Sequence, residues 1–195
     1  MLTSTQETEP KPKLLNVPNQ ITLARLFLSV LVFVLLGVRA FAFAIVTFVI
    51  AASTDWIDGY YARRYGQVTK LGRILDPFVD KIIICGTFIY LAAEPASGVA
   101  AWMAVLVVAR EMLVTALRSF FEQSGLDFSA NQSGKLKMVL QCVAVVASLV
   151  ALWYGAEQRP LWLQWTLFGA VWTAVLSTAQ SGIVYIVAAT RLMRE

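Results

Sequence analysis

Apolar runs long enough to cross a bilayer dominate this sequence and leave little else to fold. They extend from Ile21 to Val38, Ala40 to Arg64, Leu71 to Ala93, Gly98 to Phe121, Ser133 to Tyr154 and Leu161 to Ala189. A helical span needs roughly 20 mostly apolar residues, so the chain has room for six spans on short connections and for no soluble domain beside them. Of its 195 residues, 58% are hydrophobic and only 14% charged, against about 45–50% and roughly a quarter in soluble domains. The expectation is an all-α integral membrane protein of six transmembrane helices, occupying residues 16–195. Residues 1–15, MLTSTQETEPKPKLL, are polar and contain proline, and are expected to form a disordered tail. They lack the charged-then-apolar order of a signal peptide, and Glu7 and Glu9 argue against a transit peptide.

The connections carry turn residues, as in YGQVTK, EPASG, EQSGLDFSANQ and GAEQRP. With six spans the termini share a side with the second and fourth connections. Of the 16 lysines and arginines, only Arg39 and Arg159 fall on the other side, and Arg110 lies inside a span. That bias puts both termini in the cytoplasm, although a site binding phosphates would also gather basic residues. Trp102, Trp153, Tyr154, Trp162 and Trp165 mark the opposite ends of their spans, as an interfacial belt does. Cys85 and Cys142 sit inside apolar runs and read as small packing residues. Histidine is absent, so a general base has to come from another residue type, with a carboxylate the first candidate.

Charge enters the apolar runs at one conspicuous place, DWIDGYYARRYGQVTKLGRILDPFVDK, from Asp55 to Lys81. On helices, Asp55 and Asp58 share one face and Asp76 and Asp80 another. The turn between them predicts antiparallel neighbouring helices, with four carboxylates converging near the membrane boundary. Bare carboxylates so close would repel, and divalent cations relieve the repulsion; ligands that are all oxygen favour Mg²⁺, Mn²⁺ or Ca²⁺ over zinc. Four carboxylates suit two ions, an arrangement that clamps the attacking and leaving oxygens in phosphoryl transfer. The plainer alternative pairs these aspartates with Arg63, Arg64, Arg73 and Lys81 at the membrane surface. Ionisable residues at membrane depth favour function. Gly59 and Ala62 would let a ligand approach the helix backbone, or else serve helix packing, and Arg63 offers a fork of donors suited to phosphate.

Asp55, Asp58, Gly59, Ala62, Arg63, Gly72, Asp76 and Asp80 together match D-x-x-D-G-x-x-A-R, eight residues, G-x-x-x-D-x-x-x-D. That pattern resembles the signature of the CDP-alcohol phosphatidyltransferases. The resemblance implies a homodimeric six-helix membrane enzyme, with its active site at the cytoplasmic side of a bacterial cytoplasmic membrane. Such an enzyme transfers a phosphatidyl group from CDP-diacylglycerol to an alcohol and releases CMP. By the same resemblance Asp55, Asp58, Asp76 and Asp80 would hold two divalent cations, Mg²⁺ or Mn²⁺, with Asp80 also the general base. Gly59, Ala62, Arg63, Thr69 and Gly72 would meet the CDP moiety. The expected partners are CDP-diacylglycerol, its acceptor and membrane lipids, and no nucleic acid.

Other charges bear on the acceptor. Arg110 lies mid-way along the fourth run, Arg118 two turns beyond it, and Lys135 and Lys137 open the fifth. Arg118 and Lys137 are within snorkelling reach of the surface; Arg110 is too deep for that. Together they form a cationic pocket that a phosphorylated acceptor needs and serine or choline does not. Glu111 would orient Arg110 as a buried ion pair. AREMLVTALR with GKLKM, and NVPNQITLARL, resemble the branch of the family that uses glycerol 3-phosphate, where Asn19, Thr22 and Arg25 would sit near the nucleotide-lipid site. The expected product is phosphatidylglycerophosphate; phosphatidylglycerol (giving cardiolipin) or inositol phosphate is the alternative acceptor. From another class, a divalent-cation transporter would spread acids over both halves of the bilayer, whereas these belong to one helix pair.

Overall fold

The apolar runs fold as helices, one for one. A computed structural model describes residues 17–65, 70–123 and 132–193, with side chains at 20–54, 78–121, 123 and 136–193. Its elements are α1 (Val17–Gly37), α2 (Phe41–Tyr65), α3 (Lys70–Ala93), α4 (Ala101–Gln123), α5 (Gln132–Tyr154) and α6 (Leu161–Leu192), with a 3-10 turn at Pro95–Ser97. α1 starts a turn earlier than its apolar run because Pro18 is at a position where a missing N–H costs little. The polar tail expected over residues 1–15 lies outside the described residues.

Among the described residues, three segments are long and apolar enough to cross a membrane: Gln20–Gly37, Leu136–Tyr154 and Leu161–Leu192, with a shorter apolar stretch at Phe41–Thr54. α4 has the length, at 23 residues, but Arg110, Glu111 and Arg118 interrupt it. α3 is interrupted likewise by Asp76, Asp80 and Lys81. The charges that lower the hydropathy of these helices are the candidate functional residues themselves. Large apolar side chains face outward along the bundle, among them Phe27 and Val34 on α1, Phe43 on α2, and Phe168, Leu176 and Ile183 on α6. An apolar surface this extensive is compatible with lipid and not with water, and the chain is a membrane protein.

α1 packs against α2 and α3, α4 against α3 and α6, and α5 against α2, α3 and α6. Among the described residues, α2 and α3 are therefore tied together mainly through α1 and α5. One apolar core draws on all six helices, for example Val32, Phe48, Phe88, Val107, Leu149 and Val171. A second, smaller cluster joins Val114 and Phe121 of α4 to Tyr185 and Ala189 of α6. Along α4 and α6 the two clusters are separated by a polar layer, which holds the candidate site.

At one end the three connections are clasped together. Arg39 bonds Glu94 at 3.2 Å, joining the α1–α2 corner to the end of α3. Arg159 donates to the carbonyl oxygens of Ala96 at 2.6 Å and Ala151 at 3.0 Å, tying the α5–α6 connection to the 3-10 turn. The Tyr90 hydroxyl donates to the Leu36 carbonyl. Arg39 itself closes α1 with φ +58°, its N–H reaching Leu36 and that of Ala40 reaching Leu35. This is the left-handed stop that glycine usually supplies. The helices therefore run up and down, and the described ends of the chain, Val17 and Met193, lie at the opposite end. Trp102, Trp153, Tyr154, Trp162 and Trp165 are all exposed near the clasped end, in the positions expected of an aromatic belt.

Candidate active site

Helical backbone runs unbroken through Asp55 and Asp58 on α2 and through Asp76 and Asp80 on α3. Spacings of three and four residues put the members of each pair on one face of their helix. Of the four aspartates, only Asp80 has a described side chain. The expectations for Asn19, Asp55, Asp58, Gly59, Ala62, Arg63, Gly72, Asp76 and Lys135 concern side-chain surroundings outside the described residues, and Thr69 lies outside them altogether.

Asp80 meets α1. Arg25, only 1% exposed, donates from Nη1 to Asp80 Oδ1 at 2.6 Å. That is the length of a strong charge-assisted bond, between residues 55 apart in sequence. Ser29 donates its hydroxyl to the Arg25 carbonyl at 2.8 Å, and Thr22, one turn before Arg25, is also buried. Thr22 and Arg25 of NVPNQITLARL are therefore turned inward, and Arg25 reaches the candidate base directly.

The cationic residues gather on the other side of α3. Arg110 is 7% and Lys137 5% exposed, and both bind Glu111: Arg110 Nη1 at 3.3 Å from Oε1, and Lys137 Nζ on the same oxygen. Lys137 thus points inward onto a carboxylate and does not snorkel. Arg118 is half-buried, and its Nε has no hydrogen-bond partner among the described residues. Lys81, the residue after Asp80, lies close enough to Glu111 and Arg118 for their charges to interact. Asp80 and the cationic layer therefore occupy neighbouring stretches of one bundle.

Sequence reasoning did not find what α6 contributes. Arg110 Nη2 donates to the Ser181 hydroxyl, and its guanidinium lies 5.3 Å from the centre of the Tyr185 ring. Gln141 of α5 donates to Thr178 of α6 at 3.0 Å, extending the polar layer by one turn. The available signal was the spacing of Thr178, Ser181 and Tyr185, which puts three polar groups on one face of an otherwise apolar helix.

The family model described as CDP-alcohol phosphatidyltransferase matches residues 15–180. Three curated relatives carry the name CDP-diacylglycerol--glycerol-3-phosphate 3-phosphatidyltransferase. The one from Bacillus subtilis (strain 168) is 34% identical, over 87% of this chain and 93% of its own. That of Escherichia coli (strain K12) is 34% identical, over 89% and 94%. That of Yersinia pestis (strain Pestoides F) is 33% identical, over 83% and 98%.

Proposed function

Because the chain belongs to the CDP-alcohol phosphatidyltransferase family, we propose that it transfers the phosphatidyl group of CDP-diacylglycerol to sn-glycerol 3-phosphate, giving phosphatidylglycerophosphate and CMP. The names of its relatives support that substrate pair. The structural observation that carries the acceptor is the burial of Arg110 and Lys137 around the single carboxylate of Glu111. Two buried cations on one anion leave a positive balance, which suits a phosphate and gives serine or inositol nothing to neutralise. Arg118 and Lys135 complete the acceptor pocket on this reading.

The donor set of Asp55, Asp58, Asp76 and Asp80 is all oxygen and is borne in pairs on two continuous helices, which fits Mg²⁺ or Mn²⁺. When bound, two such ions supply charge neutralisation at the pyrophosphate and the departing CMP. Asp80 takes the proton of the attacking acceptor hydroxyl. The new phosphorus–oxygen bond forms as the pyrophosphate bond breaks, and CMP leaves. Arg25 holds Oδ1 and so fixes the plane of the carboxylate that accepts the proton. Gly59, Ala62, Arg63, Thr69 and Gly72 line the CDP moiety, with Asn19 and Thr22 near the lipid side. The enzyme works as a homodimer of six-span subunits in the bacterial cytoplasmic membrane, with termini and site on the cytoplasmic side. A water-soluble nucleotide and a lipid-soluble diacylglycerol meet most readily at that boundary.

The test is CMP release from CDP-diacylglycerol in detergent, with Mg²⁺ or Mn²⁺ and a panel of acceptors. Glycerol 3-phosphate supports turnover, chelation of the metal stops it, and Asp80→Asn lowers kcat by at least about a hundredfold, as loss of a general base does. Turnover with serine or inositol but not glycerol 3-phosphate overturns the acceptor, and retained activity in Asp80→Asn removes it as base.

A further inference from the structure

Arg110 is held on three sides by groups that leave one of its nitrogens without a partner among the described residues. Glu111 takes Nη1, Ser181 takes Nη2, and the guanidinium carbon lies over the Tyr185 ring. Nε is buried and has no hydrogen-bond partner among the described residues. A buried N–H without a partner is costly, and here it belongs to a guanidinium whose two other nitrogens are already engaged. The α6 side is fitted to the arginine: Ser181 is 1% and Tyr185 4% exposed, and they are four residues apart on one helical face. Between them, a Cβ on Gly182 would stand 3.4 Å from Arg110 Cγ. The arginine stem therefore lies along α6 within van der Waals reach of its backbone.

We propose that Ser181 and Tyr185 are positioning residues for the acceptor phosphate, holding the Arg110 guanidinium so that its Nε–H meets a phosphate oxygen. The proposal rests on Arg110 as an acceptor-phosphate ligand and adds the helix that aims it. An arginine on an unbraced stem loses rotamer freedom each time it binds; one already clamped does not, so the clamp acts on acceptor affinity. The ring and the hydroxyl touch the guanidinium and not the reacting atoms. Their loss therefore weakens acceptor binding and leaves the chemical step and the CDP-diacylglycerol site alone.

Steady-state kinetics of the full-length protein in detergent, varying each substrate in turn, tests this. Ser181→Ala and Tyr185→Leu each raise the KM for glycerol 3-phosphate by about tenfold, with the KM for CDP-diacylglycerol unchanged. Tyr185→Phe, which keeps the ring, brings the acceptor KM back to within about threefold of the parent. Inorganic phosphate, used as a competitive probe, loses potency in parallel with the rise in KM; a merely structural role does not produce that parallel. Arg110→Ala serves as the reference. If it raises the acceptor KM while Ser181→Ala and Tyr185→Leu do not, the clamp is wrong and the pocket stands. If Arg110→Ala leaves that KM unchanged, the pocket itself is wrong and the clamp falls with it. Should Tyr185→Leu fail to fold, a Tyr185→Phe variant as impaired as Ser181→Ala overturns the role of the ring.

Discussion

Glu111 is the residue on which the polar layer balances. One of its oxygens faces both Arg110 and Lys137, and all three side chains are buried. Removing one member of a buried charge network leaves the others uncompensated, at a cost of about 3–5 kcal/mol. Glu111→Ala is therefore expected to lower the thermal unfolding midpoint in detergent substantially. Replacing two of the three, as Glu111→Leu with Lys137→Met, removes both of those charges and returns the part of that stability lost to an uncompensated Lys137, while Arg110 still lacks its carboxylate. It does not return the affinity for glycerol 3-phosphate, since a phosphate-binding cation has gone. A double variant that recovers affinity along with stability contradicts the role of Lys137. At this scale the sequence was legible where chemistry repeats locally. Aspartates three and four apart declare themselves, and so does an arginine too deep to snorkel. Ser181 and Tyr185 were not legible, because hydroxyls in an apolar helix read as packing until the arginine 71 residues away is placed beside them.

Between elements, the approach of α1 to α3 decides whether Arg25 can reach Asp80. Gly86, less than two turns after Asp80 on α3, is where the Phe33 ring of α1 comes to rest; an added Cβ would overlap the far edge of that ring, at Cζ and Cε1. The glycine sets the distance between the helices, and Arg25 sits two turns before Phe33 on the same element. Gly86→Ala forces the ring or the helix to move, which overpacks the core by about 1–3 kcal/mol and lowers the unfolding midpoint. Combined with Phe33→Leu, the substitution regains much of the loss; a double variant no more stable than Gly86→Ala shows that the close contact is not the cause. The six helices were readable from apolar length and turn residues, since lipid demands long uninterrupted runs. Their neighbours were harder to read. The direct pairing of α2 with α3 was expected near the turn between them, where the side chains lie outside the described residues; α1 and α5 are the further links that the described residues add. A sequence shows which face of a helix is polar more readily than which helix comes to meet it.

Across the whole molecule, charge is divided by end. The clasped end holds Arg39, Glu94, Glu157 and Arg159, with the exposed tryptophans close by. The buried ion pairs Arg25–Asp80 and Lys137–Glu111 lie toward the other end, where most of the lysines and arginines fall in the sequence. Positive residues remain on the cytoplasmic side during insertion, which predicts that the clasped end faces out and the end near Val17 and Met193 faces in. A binding site for phosphates would enrich the same end in cations, so the bias needs a measurement independent of catalysis. Glu157, exposed in the α5–α6 connection, and Gln123, exposed at the end of α4, lie at opposite ends of the bundle. In a background with Cys85 and Cys142 replaced by alanine, an impermeant maleimide added to intact cells labels Glu157→Cys. It reaches Gln123→Cys only after the membrane is opened. Both sites are remote from the clamp around Arg110, so labelling reports topology alone. The reverse pattern puts the aspartates on the outer face, away from a cytoplasmic supply of nucleotide-activated lipid, and overturns the orientation.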